Sequence, residues 1–258
     1  MSVLDMFSLK GKTAVVTGGS GLYGRQIVLS LAQAGAKVYN ASRNITKNEE
    51  YAASLREKGQ DVLSASLDQS SEDSAKQLLD RIEKESGTPS VLVNNAVARA
   101  MKSWNSPVSA FTESMRINAD GLFIMTRTFG EAMKKDGGSI INIASYMGLL
   151  GPDDSMYRGT DVTGDVPDYF FHKGGMVNFT RFTASVLGPY GIRCNVVCPG
   201  GYYNGQDPRF TEKYCDRTFL KRMANDTDLM GIMVFLASDA SLYITGAVIP
   251  ADGGYSAK

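Results

Sequence analysis

Tyr169 and Lys173 stand four residues apart in Tyr169-Phe-Phe-His-Lys173, the single Tyr-x-x-x-Lys of the chain. On a helix that spacing puts both side chains on one face. A phenol with an ordinary pKa of ~10 is a poor proton carrier at neutrality, and a neighbouring ammonium favours its phenolate. The pair could therefore give or take a proton at the oxygen of a carbonyl–alcohol couple. Ser145 closes the apolar run Ser139-Ile-Ile-Asn-Ile-Ala-Ser145 and could hydrogen-bond the same oxygen, because open α/β sheets bind ligands beyond the carboxyl ends of their strands. Asn118, in Arg116-Ile-Asn-Ala-Asp120, falls mid-helix, where an amide adds nothing to helix formation. It is either a fourth member of the site or a plain helix–helix amide.

A second constellation opens the chain. A short apolar run leads into Thr17-Gly-Gly-Ser-Gly-Leu-Tyr-Gly24, and helical spacing follows. Gly19, Gly21 and Gly24 satisfy G-x-G-x-x-G in the strand–loop–helix setting that the motif requires. Together with Gly18, Ser20 and Leu22 they form a turn that can approach a pyrophosphate, and the helix amino terminus offers it free N–H groups. The second strand ends Tyr39-Asn-Ala-Ser-Arg43 without an acid. A carboxylate there would bind a ribose 2′-hydroxyl. Ser42 and Arg43 instead suit a 2′-phosphate, so NADP is expected rather than NAD. If Arg43 only stacks on adenine, either cofactor would serve.

The elements that must position these groups form an alternation. Strands are expected at 13–17, 37–41, 62–67, 91–94, 139–144, 193–198 and 247–250. They are apolar throughout, which implies a sheet covered on both faces. Helical spacing lies between them, as at Ile27, Leu31 and Ala34, at Leu78, Leu79 and Ile82, and at Phe179, Phe182, Val186 and Leu187. The fold class is α/β: one Rossmann domain over residues 1–258, with a doubly wound parallel sheet of about seven strands. Lys+Arg and Asp+Glu are equal at 27 each, so no basic field exists for nucleic acid. No apolar run is long enough to span a bilayer, and the amino terminus does not read as a secretory signal. Cys194 and Cys198 lie four apart on a strand, roughly 13 Å along it, too far to share a metal. With His172, the only histidine, lacking a partner, no metal site is expected, and a helix-surface or subunit contact is expected for that residue. The expected compartment is the cytoplasm.

Taken in order, these residues resemble the short-chain dehydrogenase/reductase family across nearly the whole chain. The resemblance rests on the glycine loop, Asn94-Asn-Ala96, Asn118, Ser145, Tyr169 with Lys173, Pro199-Gly200, Leu236-Ala-Ser-Asp239 through Gly246, and Asp252-Gly-Gly254. It implies an Asn–Ser–Tyr–Lys tetrad. Tyr169 would be the general acid/base, and Ser145 would polarise the substrate oxygen. Lys173 would tune the phenol and hold the nicotinamide ribose, and Asn118 would anchor a water that relays protons. It further implies that Asp68 meets adenine, that Asn95 and Ala96 line the ribose, and that Pro199, Gly200 and Tyr202 pass beside the nicotinamide. A homotetramer or homodimer built on the helix of Tyr169 and on the carboxyl-terminal region also follows from the resemblance.

Departures from the family pattern are informative. Leu22 replaces a common glycine, Val97 follows Asn-Asn-Ala, and Asn204 stands where a threonine is usual. Ser145 and Tyr169 are 24 residues apart, nearly twice the usual gap. Tyr157 lies near the usual distance, but Asp161 occupies the position where its lysine would stand. Segment 151–168 then reads as an insertion beside the site. It resembles insertions of members from bacterial surface-glycan and flagellin-sugar pathways, which points to a polar, sugar-like substrate. A solvated acidic loop is the alternative. Segment 202–225 reads as a substrate lid. The expected activity is NAD(P)-dependent interconversion of a carbonyl and a secondary alcohol. The rivals are reduction of an acyl thioester or small ketone, and a non-catalytic NAD(P)-binding sensor or scaffold.

Overall fold

The computed structural model describes residues 2–257. Seven parallel strands, β1 (Thr13–Thr17), β2 (Lys37–Ser42), β3 (Val62–Ser66), β4 (Val91–Asn94), β5 (Gly138–Ile143), β6 (Ile192–Pro199) and β7 (Val248–Ala251), form one sheet in the order β3-β2-β1-β4-β5-β6-β7. Every expected strand is present within a residue or two. Their uniformly apolar sequence has the anticipated cause. Ala14 and Val16 of β1 face one core, while Val15 faces the other. The alternation repeats in β4, with Val91 and Val93 opposed to Leu92, and in β5, with Ile141 and Ile143 opposed to Ile140.

Helices α1 (Leu22–Gln33), α2 (Ile45–Arg56), α3 (Glu72–Ser86), α4 (Val108–Met115), α5 (Gly121–Met133), α6 (Asp154–Tyr157), α7 (Pro167–Leu187), α8 (Pro208–Arg217) and α9 (Met230–Ala237) complete the chain. Ile27, Leu31, Met233 and Leu236 of α1 and α9 cover one face of the sheet; Leu78, Ile82, Met125, Phe129 and Leu187 of α3, α5 and α7 cover the other. One expected face is corrected. Leu187 is buried, but Phe182 and Val186 are exposed and Phe179 is half-buried. Helix α7 is apolar on two sides, and its outer side joins Phe123 of α5 through a Phe123–Phe179 ring contact at 6.5 Å.

The strand order reverses between β1 and β4, which opens a crevice at the carboxyl ends of the sheet. Segments 151–168 and 202–225 meet above that crevice. Lys213 Nζ donates to the carbonyls of Ser155 at 2.9 Å and Arg158 at 2.7 Å. Arg217 pairs with Asp153 at 3.0 Å, and Tyr157 packs on Phe210. Among the described residues, no helix is long and apolar enough to cross a membrane.

Candidate active site

Helix α7 starts with Pro167, whose missing N–H costs nothing at a first helical position. Tyr169 follows within the first turn, facing the crevice, and Lys173 comes about one turn later. Gly148, in the short 3-10 turn 146–148, lets α7 come close: a Cβ there would lie 2.7 Å from the Lys173 carbonyl oxygen. Lys173 Nζ donates to Ile143 O, the end of β5, at 2.6 Å and lies 5.8 Å from the centre of the Tyr169 ring. Ser145, two residues beyond Ile143, turns its hydroxyl toward the Met147 N–H at 3.2 Å. The expected serine, tyrosine and lysine therefore converge, and all three line one cavity of about 990 Å³.

Lys173 is only 3% exposed. Burial, and after it the like charge of Arg99, bring its pKa down to about 7. His172 beside it corrects the expected surface placement. It is 5% exposed, sits edge-on to the Tyr169 ring, and has no hydrogen-bond partner on either ring nitrogen among the described residues. Burial, then Lys173 and Arg99, hold its pKa at about 3, so the ring is neutral. Tyr157, the alternative tyrosine, has no lysine; burial is the main reason that its hydroxyl is pushed up to about 12.

Asn118 lies in a π-helical turn, Arg116–Asp120, between α4 and α5, a local irregularity frequent at functional sites. Its Oδ1 accepts from Ala98 N at 2.8 Å, and its Nδ2 donates to Ala98 O at 2.8 Å and to Ser114 Oγ at 3.0 Å. The amide thus clamps the loop after β4.

The other end of the cavity is walled by Gly18, Ser20, Gly21, Leu22, Ser42, Arg43, Asn95, Ala96, Pro199, Gly200 and Tyr202. Gly18 adopts φ +66°, and a Cβ on Gly24 would lie 2.3 Å from the Gly18 carbonyl oxygen. Gly24 therefore shapes the loop from behind without lining the cavity. Gly21 caps α1 with no side-chain acceptor, so the first-turn N–H groups stay free for an anion. Ser20 Oγ is held from beneath, donating to Asn48 Oδ1 and accepting from Asn40 Nδ2, both at 2.9 Å. Asn95 Nδ2 donates to Thr17 O at 2.9 Å and Gly18 O at 3.0 Å, bracing the loop. Asp68 Oδ1 accepts from the Ser70 N–H at 3.0 Å and hydroxyl at 2.6 Å; its neighbours Leu67 and Gln69, not Asp68 itself, line the wall. The Tyr202 hydroxyl turns to Asp226.

Five cations line the cavity against one carboxylate, Asp168: the expected Arg43 and Lys173, and Lys47, Arg99 and Lys102, which the sequence did not single out. Lys47 carries the signal that Asn44 caps α2 by accepting from its N–H, which sets it beside Arg43. Arg99 lies in an aperiodic loop and gives no such signal. The glycine cradle, the free helix terminus, and Arg43 and Lys47, which make no ion pair among the described residues, fit a dinucleotide with a phosphorylated ribose.

Residues 20–256 match a family model described as enoyl-(acyl carrier protein) reductase. The 2-dehydro-3-deoxy-D-gluconate 5-dehydrogenase of Escherichia coli (strain K12) is 33% identical over 265 residues, covering 99% of this chain and 100% of its own. A short-chain type dehydrogenase/reductase from Mycobacterium marinum superposes with a TM-score of 0.90 at 31% identity, covering 100% of both chains. A gluconate 5-dehydrogenase from Burkholderia cenocepacia J2315, solved with NADP and tartrate, gives 0.89 at 27% identity with the same coverage.

Proposed function

The chain belongs to the short-chain dehydrogenase/reductase family, and from that premise we propose an NADP-dependent dehydrogenase acting on a secondary hydroxyl of a small polyhydroxylated, sugar-like molecule. The observation that carries this reading is the meeting of Tyr169, Lys173 and Ser145 in a cavity that runs to the glycine loop. The names of the relatives that act on sugar acids, and the likeness of segment 151–168 to insertions of surface-glycan enzymes, support the substrate class.

The N–H groups at the start of α1, with Gly18, Ser20, Gly21 and Leu22, would hold the pyrophosphate, and Gly24 keeps that loop tight. Ser42, Arg43 and Lys47 would take the 2′-phosphate. Leu67 and Gln69, beside Asp68, would meet the adenine, while Asn95 and Ala96 would border its ribose. Lys173 would hold the nicotinamide ribose, and Pro199, Gly200 and Tyr202 would flank the ring. When bound, the cofactor supplies or accepts the hydride. The chain's own residues handle the proton. Tyr169 takes it from the substrate hydroxyl in oxidation and returns it to the carbonyl oxygen in reduction. Ser145 donates a hydrogen bond to that oxygen. The bond from Lys173 to Ile143 O fixes the ammonium relative to Ser145, 5.8 Å from the centre of the Tyr169 ring. Asn118 acts as a positioning residue through Ala98. Segments 151–168 and 202–225 would act as one roof over the substrate.

The outer apolar side of α7, with Phe171, Phe182 and Val186 exposed next to Phe123 of α5, supports a homodimer or homotetramer built on that helix. Light scattering of the purified protein measures this. A cytoplasmic location fits three free cysteines, two of them buried. The second reading, acyl-thioester reduction, is favoured by the description of the matching family model.

Formation of NADPH, followed by absorbance against a panel of polyols, aldonates and secondary alcohols, and its consumption with ketones and acyl thioesters, tests the proposal. Turnover of polyhydroxylated compounds with NADP at least tenfold ahead of NAD is expected. Activity confined to acyl thioesters would transfer the assignment to the second reading, and NADPH binding without any turnover would leave a sensor or scaffold.

A further inference from the structure

We propose that Arg99 is the specificity-determining anchor of the substrate pocket and binds a carboxylate, so that the substrate is a small polyhydroxy acid. The inference rests on the dehydrogenase reading above and names the charged end of its substrate.

Four observations converge on this residue. Its guanidinium carbon lies 5.0 Å from the centre of the Tyr169 ring, and the residue lines the same cavity as Ser145 and Lys173. A group held there sits within a few bonds of an oxygen at the phenol. The backbone just before it is fixed, because the Asn118 amide clamps Ala98 on both its N–H and its carbonyl at 2.8 Å. The guanidinium therefore starts from a rigid root, which limits the entropy lost on binding.

Among the described residues, Arg99 also has no counter-ion. Most arginines near acids are spent: Arg116 on Glu113 at 2.8 Å, Arg127 on Glu72 at 2.8 Å, Arg209 on Asp207 at 2.7 Å. Among the described residues, Arg99 makes no ion pair and no side-chain hydrogen bond. Of the acids of segment 151–168 that could have neutralised it, Asp161 lies off the cavity wall and three others are engaged elsewhere. Asp153 pairs with Arg217 at 3.0 Å, Asp154 with Arg158 at 2.7 Å, and Asp165 Oδ2 accepts from the Trp104 N–H at 3.2 Å. Asp168 alone reaches the wall, at the first turn of α7, where the helix dipole compensates it. An acid-rich segment thus leaves the reacting end of the cavity with Arg99, Lys102 and Lys173 against one carboxylate.

A planar guanidinium with two parallel donors matches a carboxylate in a two-bond fork. Such an anion would also relieve the repulsion that Arg99 exerts on Lys173.

The test measures binding of tartrate, and of threitol as its uncharged counterpart, to the NADP-loaded protein by titration calorimetry. Wild type, Arg99→Gln and Arg99→Lys are compared, with NADPH affinity as the control for an intact fold and cofactor site. The expected result is tartrate binding in wild type, weakened at least tenfold in Arg99→Gln and partly restored in Arg99→Lys, with NADPH affinity unchanged. Threitol should bind more weakly than tartrate to wild type and respond to neither substitution. Tartrate affinity in Arg99→Gln within about threefold of wild type, equal binding of threitol, or no tartrate binding to NADP-loaded wild type would each overturn the inference while leaving the dehydrogenase reading in place. Failure of NADPH itself to bind would instead count against that reading.

Discussion

Replacing Lys173 by methionine should make the cofactor-free protein more stable at neutral pH while abolishing its activity. The side chain is buried, and its folded pKa of about 7 compares with an ordinary 10.5. The unfolded chain keeps the proton up to the ordinary value, whereas the folded chain gives it up near neutrality. Between those limits the unfolded state binds more protons, so stability rises with pH. Below the folded value the whole cost is present, about 5 kcal/mol at ~1.4 kcal/mol per tenfold. Methionine removes that cost but also the donor to Ile143 O, a loss of about 1–3 kcal/mol. A net gain of roughly 2–4 kcal/mol is expected near pH 6. Near pH 9 only about 2 kcal/mol of the charge cost remains in the wild type, so the advantage should vanish or reverse. Urea denaturation of both proteins at the two pH values measures this. A variant less stable than wild type near pH 6, by an amount that does not change with pH, would refute the reasoning.

Further expectations can be checked separately. Arg43→Glu should weaken NADPH binding at least tenfold (about 1.4 kcal/mol) and spare NADH; equal losses in a fluorescence titration would place Arg43 on adenine instead. Gly24→Ala sets a methyl 2.3 Å from Gly18 O and 2.7 Å from Gly19 Cα. Because both are backbone atoms, NADPH binding should be lost and stability should fall by about 1–3 kcal/mol, read from binding and thermal melts. Tyr157→Phe should keep turnover within about threefold of wild type, since general acid–base loss costs ~100-fold or more; a collapse in kcat would make Tyr157 the proton carrier.

The sheet was readable because β1, β4 and β5 are buried on both faces, so each shows an apolar run with turn residues at its ends. The tyrosine–lysine pair was readable because i and i+4 on a helix have one geometric meaning, and the choice against Tyr157 followed from charge alone. Other features carried no local signal. Arg99 sits in a loop without periodicity, and its importance comes from Tyr169, some seventy residues away, and from the Asn118 clamp. The internal pairing of segment 151–168 was equally illegible: composition counts Asp153, Asp154 and Asp165 but cannot tell that they turn to Arg217, Arg158 and a backbone N–H. Phe182 and Val186 were grouped with Leu187 because a helix apolar on two sides blurs the stripe that marks a single core. His172 was placed outside because one polar residue on such a helix does not reveal which side it faces.

The central claim is that the phenol of Tyr169 moves the proton. Tyr169→Phe, assayed for turnover with the best compound of the panel and for NADPH affinity, tests it most directly. A loss of turnover of ~100-fold or more with NADPH affinity unchanged is expected; a variant that turns over at the wild-type rate would rule out this role for Tyr169.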